Sequence, residues 1–350
     1  MPVWNELLMT RAVPPDADRG ICDCISPTRI AALLGAAMLF AAVPRPAPAA
    51  DGLEATPPQA GLRDAALSAA DPPPPDWGAT DMFAAWQDSV AQARASQPAW
   101  SSPLVTTTGL LEQRLRFDVS RQHAGNGADS TALDGGRGLD LIVNETTEIQ
   151  IGAAPYSIRS GVPGAGGGRT GAIPPLGGFG DWPFLRVEER LFSSPASDGN
   201  YVITALLQIQ APSGIERLTN DAWQYLPTLA FGKGWGAFDI QGTLGAVIPA
   251  SRAYVIGYQV QTNMALQYQA GELFWPELEV NWTYYANGQR GGLNQVYLVP
   301  GVVVGRFILP NGMKYTFGVG YQAAVTPTYI PKPQTPAFNH AWLFTTRLNF

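Results

Sequence analysis

His340-Ala341-Trp342-Leu343-Phe344-Thr345-Thr346-Arg347-Leu348-Asn349-Phe350 decides how this chain is read. Counted by twos from Phe350, the residues Leu348, Thr346, Phe344 and Trp342 share one face, and Asn349, Arg347, Thr345 and Leu343 share the other. A period of two is the mark of a β-strand, and here the aromatic face carries no charge. Two folds can hold such a strand. In a soluble sandwich the apolar face turns inward to a core; in a membrane-spanning barrel it turns outward to lipid and Arg347 looks into the lumen. In the second case a slip of one residue carries Arg347 into hydrocarbon, at about 2–4 kcal/mol near the bilayer midplane.

The whole chain favours the barrel. Charged residues make up only 14%, against 38 Gly and 31 Pro, which leaves little for salt-bridged helix and much for turns. A mean hydropathy near zero is compatible with a barrel, whose lipid-facing and lumen-facing residues average out. A formal charge of −6, with no run of Lys or Arg, speaks against a nucleic-acid partner. Arg29, the apolar run Ile30 to Val43 and Ala47-Pro48-Ala49 match the three regions of a secretory signal, and the run is short of the ~20 residues of a spanning helix. Both cysteines, Cys22 and Cys24, fall inside it, so the mature chain is expected to have no disulfide. With such a signal, the terminal Phe350 resembles the assembly signal that closes Gram-negative outer-membrane barrels.

The expected organisation is a signal peptide over 1–49, a disordered leader rich in proline and alanine over 50–78, an amphipathic helix over 79–98 and a barrel over 100–350. The helix is read from Met82, Phe83, Trp86, Val90 and Ala93. It could plug the lumen, lie on the inner-leaflet interface, bind a periplasmic partner or rest against the barrel mouth.

Beyond Pro103 the period is two throughout. Leu115, Phe117 and Val119 alternate with Arg114, Arg116 and Asp118. Ile149 and Ile151 oppose Glu148 and Gln150, and Leu185, Val187 and Leu191 oppose Arg186, Glu188 and Arg190. Phe238 and Ile240 oppose Asp239; Val260, Met264 and Leu266 oppose Gln259, Gln261, Asn263 and Gln267. Leu278, Val280 and Trp282 oppose Glu277 and Glu279, while Tyr315 and Phe317 oppose Lys314. Such a wall of amides would ruin a soluble core but suits a wet lumen. The stretch Val296 to Ile308, with Arg306, is apolar on both faces, and its register is not readable.

About eleven such strands can be counted, and bacterial barrels close on even numbers, so the expected fold is an all-β, transmembrane, antiparallel up-and-down β-barrel of twelve strands with a short N-terminal helix. The twelfth is sought near Trp100 to Thr108 or in the glycine-rich stretch after Ala153. Hairpins are expected at Lys233-Gly234 and Asn311-Gly312, on the periplasmic side. Long loops, Gly152 to Pro183 and Thr326 to Asn339, fall outside, and Gln122 to Gly138 is long for a periplasmic turn. Trp182, Trp223, Trp235, Trp275 and Trp342 stand at strand ends, where interfacial aromatic belts form.

Gly178-Phe179-Gly180-Asp181, Ala211-Pro212-Ser213-Gly214, the hairpin at Lys233-Gly234, Pro300-Gly301 with Gly305-Arg306-Phe307, and Phe338-Asn339-His340 together resemble the outer-membrane transporter family linked to the meta-pathway of phenol degradation. The resemblance implies a monomeric barrel that passes small hydrophobic or aromatic molecules. The proline-rich leader and the helix depart from it.

No enzyme is expected. A barrel hydrolase needs Ser and His together at its rim, yet the two histidines are His123, in a loop, and His340, with no Gly-x-Ser-x-Gly anywhere. No metal or cofactor is expected. The residues expected to line a pore are Arg114, Arg116, Glu148, Arg186, Glu188, Arg190, Asp239, Gln259, Gln261, Asn263, Gln267, Glu277, Glu279, Arg306, Lys314 and Arg347, with charges of both signs able to pair across strands. Three functions stay open: a channel or transporter for small solutes, a structural or assembly barrel with a closed lumen, and a secreted soluble β-sandwich binding module. The first places the protein in a Gram-negative outer membrane, in contact with lipid, lipopolysaccharide, the barrel-assembly machinery and a small-molecule solute.

Overall fold

A computed structural model describes residues 79–124, 129–134, 137–160, 176–216, 218–310, 312–326 and 338–350. The expected signal peptide and leader lie outside the described residues. Helix α1, Ala79–Ala95, comes first. Its alanines favour helix, and Asp81 in the first turn and Arg94 in the last complement its dipole.

The strands are β1 (Arg114–His123), β2 (Asp129–Leu133), β3 (Gly138–Ile142), β4 (Thr147–Gly152), β5 (Tyr156–Ser160), β6 (Leu176–Phe179) and β7 (Trp182–Ser194). They continue with β8 (Tyr201–Ala211), β9 (Gln224–Trp235), β10 (Phe238–Pro249), β11 (Gln259–Tyr268), β12 (Phe274–Tyr285), β13 (Asn294–Ile308), β14 (Lys314–Thr326) and β15 (His340–Asn349). Neighbours pair antiparallel, and β15 returns to pair with β1 from Arg114↔Asn349 to His123↔His340, closing the sheet. Segment β2 pairs with one half of β1 and β3 with the other, so the two form one wall strand broken midway. The same holds for β4 with β5 and for β6 with β7, which leaves a barrel of twelve strands. Closure of β15 on β1 removes the edges of the main ring, as a hydrocarbon surround requires, and among the described strands β6 pairs on one side, with β5. No helix among the described residues is long and apolar enough to cross a membrane.

Burial is inverted relative to a soluble protein. Phe117, Phe231, Leu244, Met264, Leu278, Phe317 and Phe344 are exposed on the outside, while Arg116, Glu148, Gln241, Gln267 and Glu279 are each no more than 1% exposed inside. Two stacked sheets with the aromatics between them are therefore excluded. Trp182, Trp223, Trp235 and Trp342 are exposed as expected for a belt, but Trp275 is not. It points inward, 1% exposed, because it shares the parity of Glu277 and Glu279.

Four local expectations are corrected. The hairpin placed at Lys233-Gly234 turns two residues later, at Gly236-Ala237, since Trp235 still pairs with Phe238 and Gly236 takes φ +61. No strand forms near Trp100 to Thr108, and the segment after Ala153 prolongs the third wall strand rather than adding one. The stretch Gln122 to Gly138 is no turn at the terminal end, because it opens at the far end and its second half is β2. Finally, the register of β13 becomes plain: Gln295, Tyr297, Val299 and Val303 are buried, until an irregularity between Gly305 and Phe307 reverses parity and brings Arg306 inside.

Candidate functional site

Between α1 and β1, residues 96–113 enter the lumen from the end where β15 finishes, double back near Thr106 and return to β1. Ser101, Ser102, Leu104, Thr106, Thr108, Leu110, Leu111 and Gln113 on this segment are all buried. The Gln97 amide ties its two limbs together, accepting from the Leu111 N–H at 3.0 Å and donating to the Leu111 carbonyl at 2.8 Å. At the mouth α1 buries Val90 and Ala93 against Leu111 and Ile142, and the Trp86 indole N–H donates to the Ile142 carbonyl at 2.6 Å. Arg94 donates to the Phe350 carbonyl at 2.6 Å. Met82 and Phe83 stay exposed.

An extended segment cannot satisfy its own backbone, so the wall must do so. Carboxylates take its N–H groups. Glu277 accepts from Leu104 at 2.9 Å, and Glu279 accepts from the Val105 N–H at 2.7 Å, the Thr106 N–H at 2.6 Å and the Thr106 hydroxyl. Arginines take its carbonyls. Arg347 donates to Ser102 and Pro103, Arg116 to Pro103 and Leu104, Arg306 to Trp100, and Arg137 to Val105. Arg190 donates to the Ala93 carbonyl at 2.7 Å and to the Gln97 amide oxygen at 2.9 Å. Glu148 accepts from the Glu112 N–H. Gln241 donates to the Ser101 carbonyl and accepts from the Thr108 hydroxyl.

Of the charges expected to pair with one another, Arg114 does so across strands with Asp140 at 2.7 Å and Arg186 with Glu148 at 3.9 Å, while Arg186 with Glu188 at 2.5 Å and Arg116 with Asp118 at 2.8 Å pair along their own strands. Many of the remainder grip the inserted backbone. Hydrogen bonds with one ionised partner are about twice as strong as neutral ones, so the segment is held by the stronger kind along most of its length. Gln267 bonds Glu277 and Gln241, and Asp239 accepts from Gln241. Lys314 is exposed at the mouth. Gln259, Gln261 and Asn263 lie half-buried toward the far end.

Glycine makes room for the segment's bulk. A Cβ on Gly232 would fall 2.5 Å from the Trp100 ring, and Cβ atoms on Gly301, Gly318 and Gly320 would fall 2.3, 2.6 and 2.6 Å from the Leu104 methyls. Leu104 packs with Trp275 and Val303, and the Arg306 guanidinium lies over the Trp275 ring at 5.0 Å. Gly232→Val is therefore expected to lower the urea midpoint of the folded barrel by the overpacking cost, about 1–3 kcal/mol. Adding Trp100→Ala should restore most of it, and an additive double variant would show that the indole is not what the valine meets.

The segment divides the lumen. On the terminal side a cavity of about 230 Å³ is lined by Trp100, Glu112, Arg306, Lys314 and Arg347 among others. On the far side lie cavities of about 170 and 350 Å³, which share Thr107, Arg186 and Gln208. Sequence reasoning puts Asp140, Gln208 and Gln241 on the polar faces of their strands without counting them among the pore-lining residues, and it misses Arg137, Trp275 and the inserted segment itself. The alternation signalled Asp140, Gln208 and Gln241, and parity signalled Trp275; nothing local signalled the segment.

No family model matches the chain, and no curated protein matches it. Among solved structures it is similar to an outer-membrane channel from Pseudomonas putida F1, at TM-score 0.45 and 13% identity over 72% of this chain and 100% of that one. It is also similar to the NanC porin, at TM-score 0.38 and 8% identity over 67% of this chain and 98% of that one. The third is the CymD monoaromatic hydrocarbon channel, at TM-score 0.35 and 10% identity over 68% and 88%. The barrel described above rests on this chain's own strand register.

Proposed function

We propose that this chain is an outer-membrane channel for small solutes whose resting state is closed by residues 96–113. The observation that carries the reading is the division of the lumen: a polar interior, with a cavity on either side of a segment whose backbone is held by side chains of the wall and which belongs to no strand. The apolar outer face suits acyl chains. The predicted lumen residues then have a double role, holding the segment when it is seated and lining the path when it is not. Hydrophobic or aromatic solutes are favoured by the sequence resemblance to the meta-pathway family. A reading as a closed structural barrel is favoured by the number of charged hydrogen bonds on the segment. Conductance separates the two. Purified protein in planar bilayers is expected to show rare openings, with slow swelling of liposomes in small solutes. Silence in both assays, for the full chain and for a chain lacking residues 79–112, would leave only the structural barrel.

A further inference from the structure

The polar side chains of the lumen fall into two groups. Those level with the inserted segment are paired: Gln241, Gln267, Glu277, Glu279, Thr106, Thr108 and Thr204 all make hydrogen bonds. Those on its far side are mostly not. Among the described residues, the side chains of Thr107, Gln208, Gln210 and Thr228 make no hydrogen bond, and all four line the two far cavities. Gln261 reaches only Gln259, at 3.4 Å.

Arg186, the charged residue on the smaller cavity, is paired with Glu188, whereas Arg137 on the larger one shares Asp118, at 3.0 Å, with Arg116. Asp181 accepts from the Thr219 hydroxyl at 2.6 Å and the Asn220 N–H at 2.7 Å, fastening the loop after β8. What remains free is neutral: amide and hydroxyl groups that both donate and accept. Leu206 and Leu226 add one apolar stretch to the smaller cavity. Amides from β8 and β11 around a space for one small ring, with an apolar strip from Leu206 and Leu226, match a ring that carries hydroxyls at its edge and C–H or π surface on its face. A charged solute finds no uncompensated partner there, and a bare hydrocarbon leaves the amides unpaired, which a buried site penalises.

We propose that the cavity between Thr107, Gln208, Thr228, Gln261 and Asn263 binds a neutral ring bearing two or more hydroxyl groups. Aromatic diols and sugars share this chemistry. As the solute site of the channel it rests on the channel reading, although binding itself needs no permeation.

The test is isothermal titration of the full chain in detergent with catechol, glucose, benzoate and benzene. Catechol or glucose is expected to bind, and the double variant Gln208→Leu/Thr228→Val is expected to weaken that binding about tenfold or more. Catechol alone assigns the site to aromatic diols, and glucose alone to sugars. Binding of neither, binding of benzene or benzoate as tight as that of the diol, or a double variant unchanged from the parent would each overturn the proposal. Migration of unheated against boiled samples on a detergent gel reports whether the barrel forms. Thr107→Val, on the inserted segment and outside the wall, gives the same reading should the double variant fail to fold. Conductance without binding would remove this site and leave the channel, and binding without conductance would do the reverse.

Discussion

A chain lacking residues 79–112 is expected to conduct several-fold more than the full chain in single-channel recordings, with openings that are long and no longer rare. The segment fills the middle of the lumen, and the wall behind it is polar except along an apolar strip that includes Trp275, Val299 and Val303. Once the segment is gone, water can solvate Glu277, Glu279, Arg116, Arg306 and Arg347, so the lumen stays wet. Once closed, the wall keeps its ladder, because the pairing of β1 with β15 involves none of residues 79–112. Unchanged conductance in barrels that still show heat-modifiable migration would place the permeation path away from the segment.

The second large effect is expected from one carboxylate. Glu279→Ala removes the acceptor for two N–H groups and one hydroxyl at the tip of the inserted segment. Hydrogen bonds to a charged group contribute roughly 1.5–3 kcal/mol each when fully desolvated, and water entering the gap offsets part of the loss. A net loss of about 3 kcal/mol shifts the ratio of seated to unseated segment by about two orders of magnitude. The readouts are open probability in bilayers and the labelling rate of a cysteine placed at Thr106. Glu277→Ala should act in the same direction but more weakly, since Glu277 accepts one backbone bond where Glu279 accepts two and a hydroxyl. If Glu277→Ala proved the stronger of the two, the tip would not be held as described.

The wall of the barrel was legible in the sequence because period two and lumen charge coincide. On most strands where Arg, Glu or Gln alternates with Phe, Leu or Tyr, the structure turns the first group inward and the second outward, Arg121 and Leu206 being exceptions. Strand β13 resisted reading for a physical reason. Its inner face carries Val299 and Val303, of which Val303 packs with Leu104 and Trp275, so apolar residues were needed on both sides of the wall. Trp275 was within reach, since it lies two residues before Glu277 and four before Glu279, but its place near a strand end suggested a belt instead. The inserted segment was not legible. Trp100 to Thr108 reads as a candidate for the twelfth strand, and the partners that hold it inside the lumen lie up to 245 residues away in sequence. Only the glycines at 232, 301, 318 and 320 hint at it, and a glycine in a strand has several possible causes.

The seam where the first wall strand meets the last sets two cations face to face. Arg116 and Arg347 are direct cross-strand partners, an arrangement that repels and that Asp118, paired with Arg116 at 2.8 Å, offsets only in part. Both reach the carbonyl of Pro103, and each takes a neighbouring carbonyl as well, so the inserted backbone bridges the junction from within. Circularisation of the barrel is therefore easiest with that backbone already in position, as a mandrel around which the two free edges are drawn together. A truncated chain, though it conducts better once complete, should accumulate as unzipped rings during refolding into micelles, and a synthetic peptide spanning residues 96–113 should speed its completion.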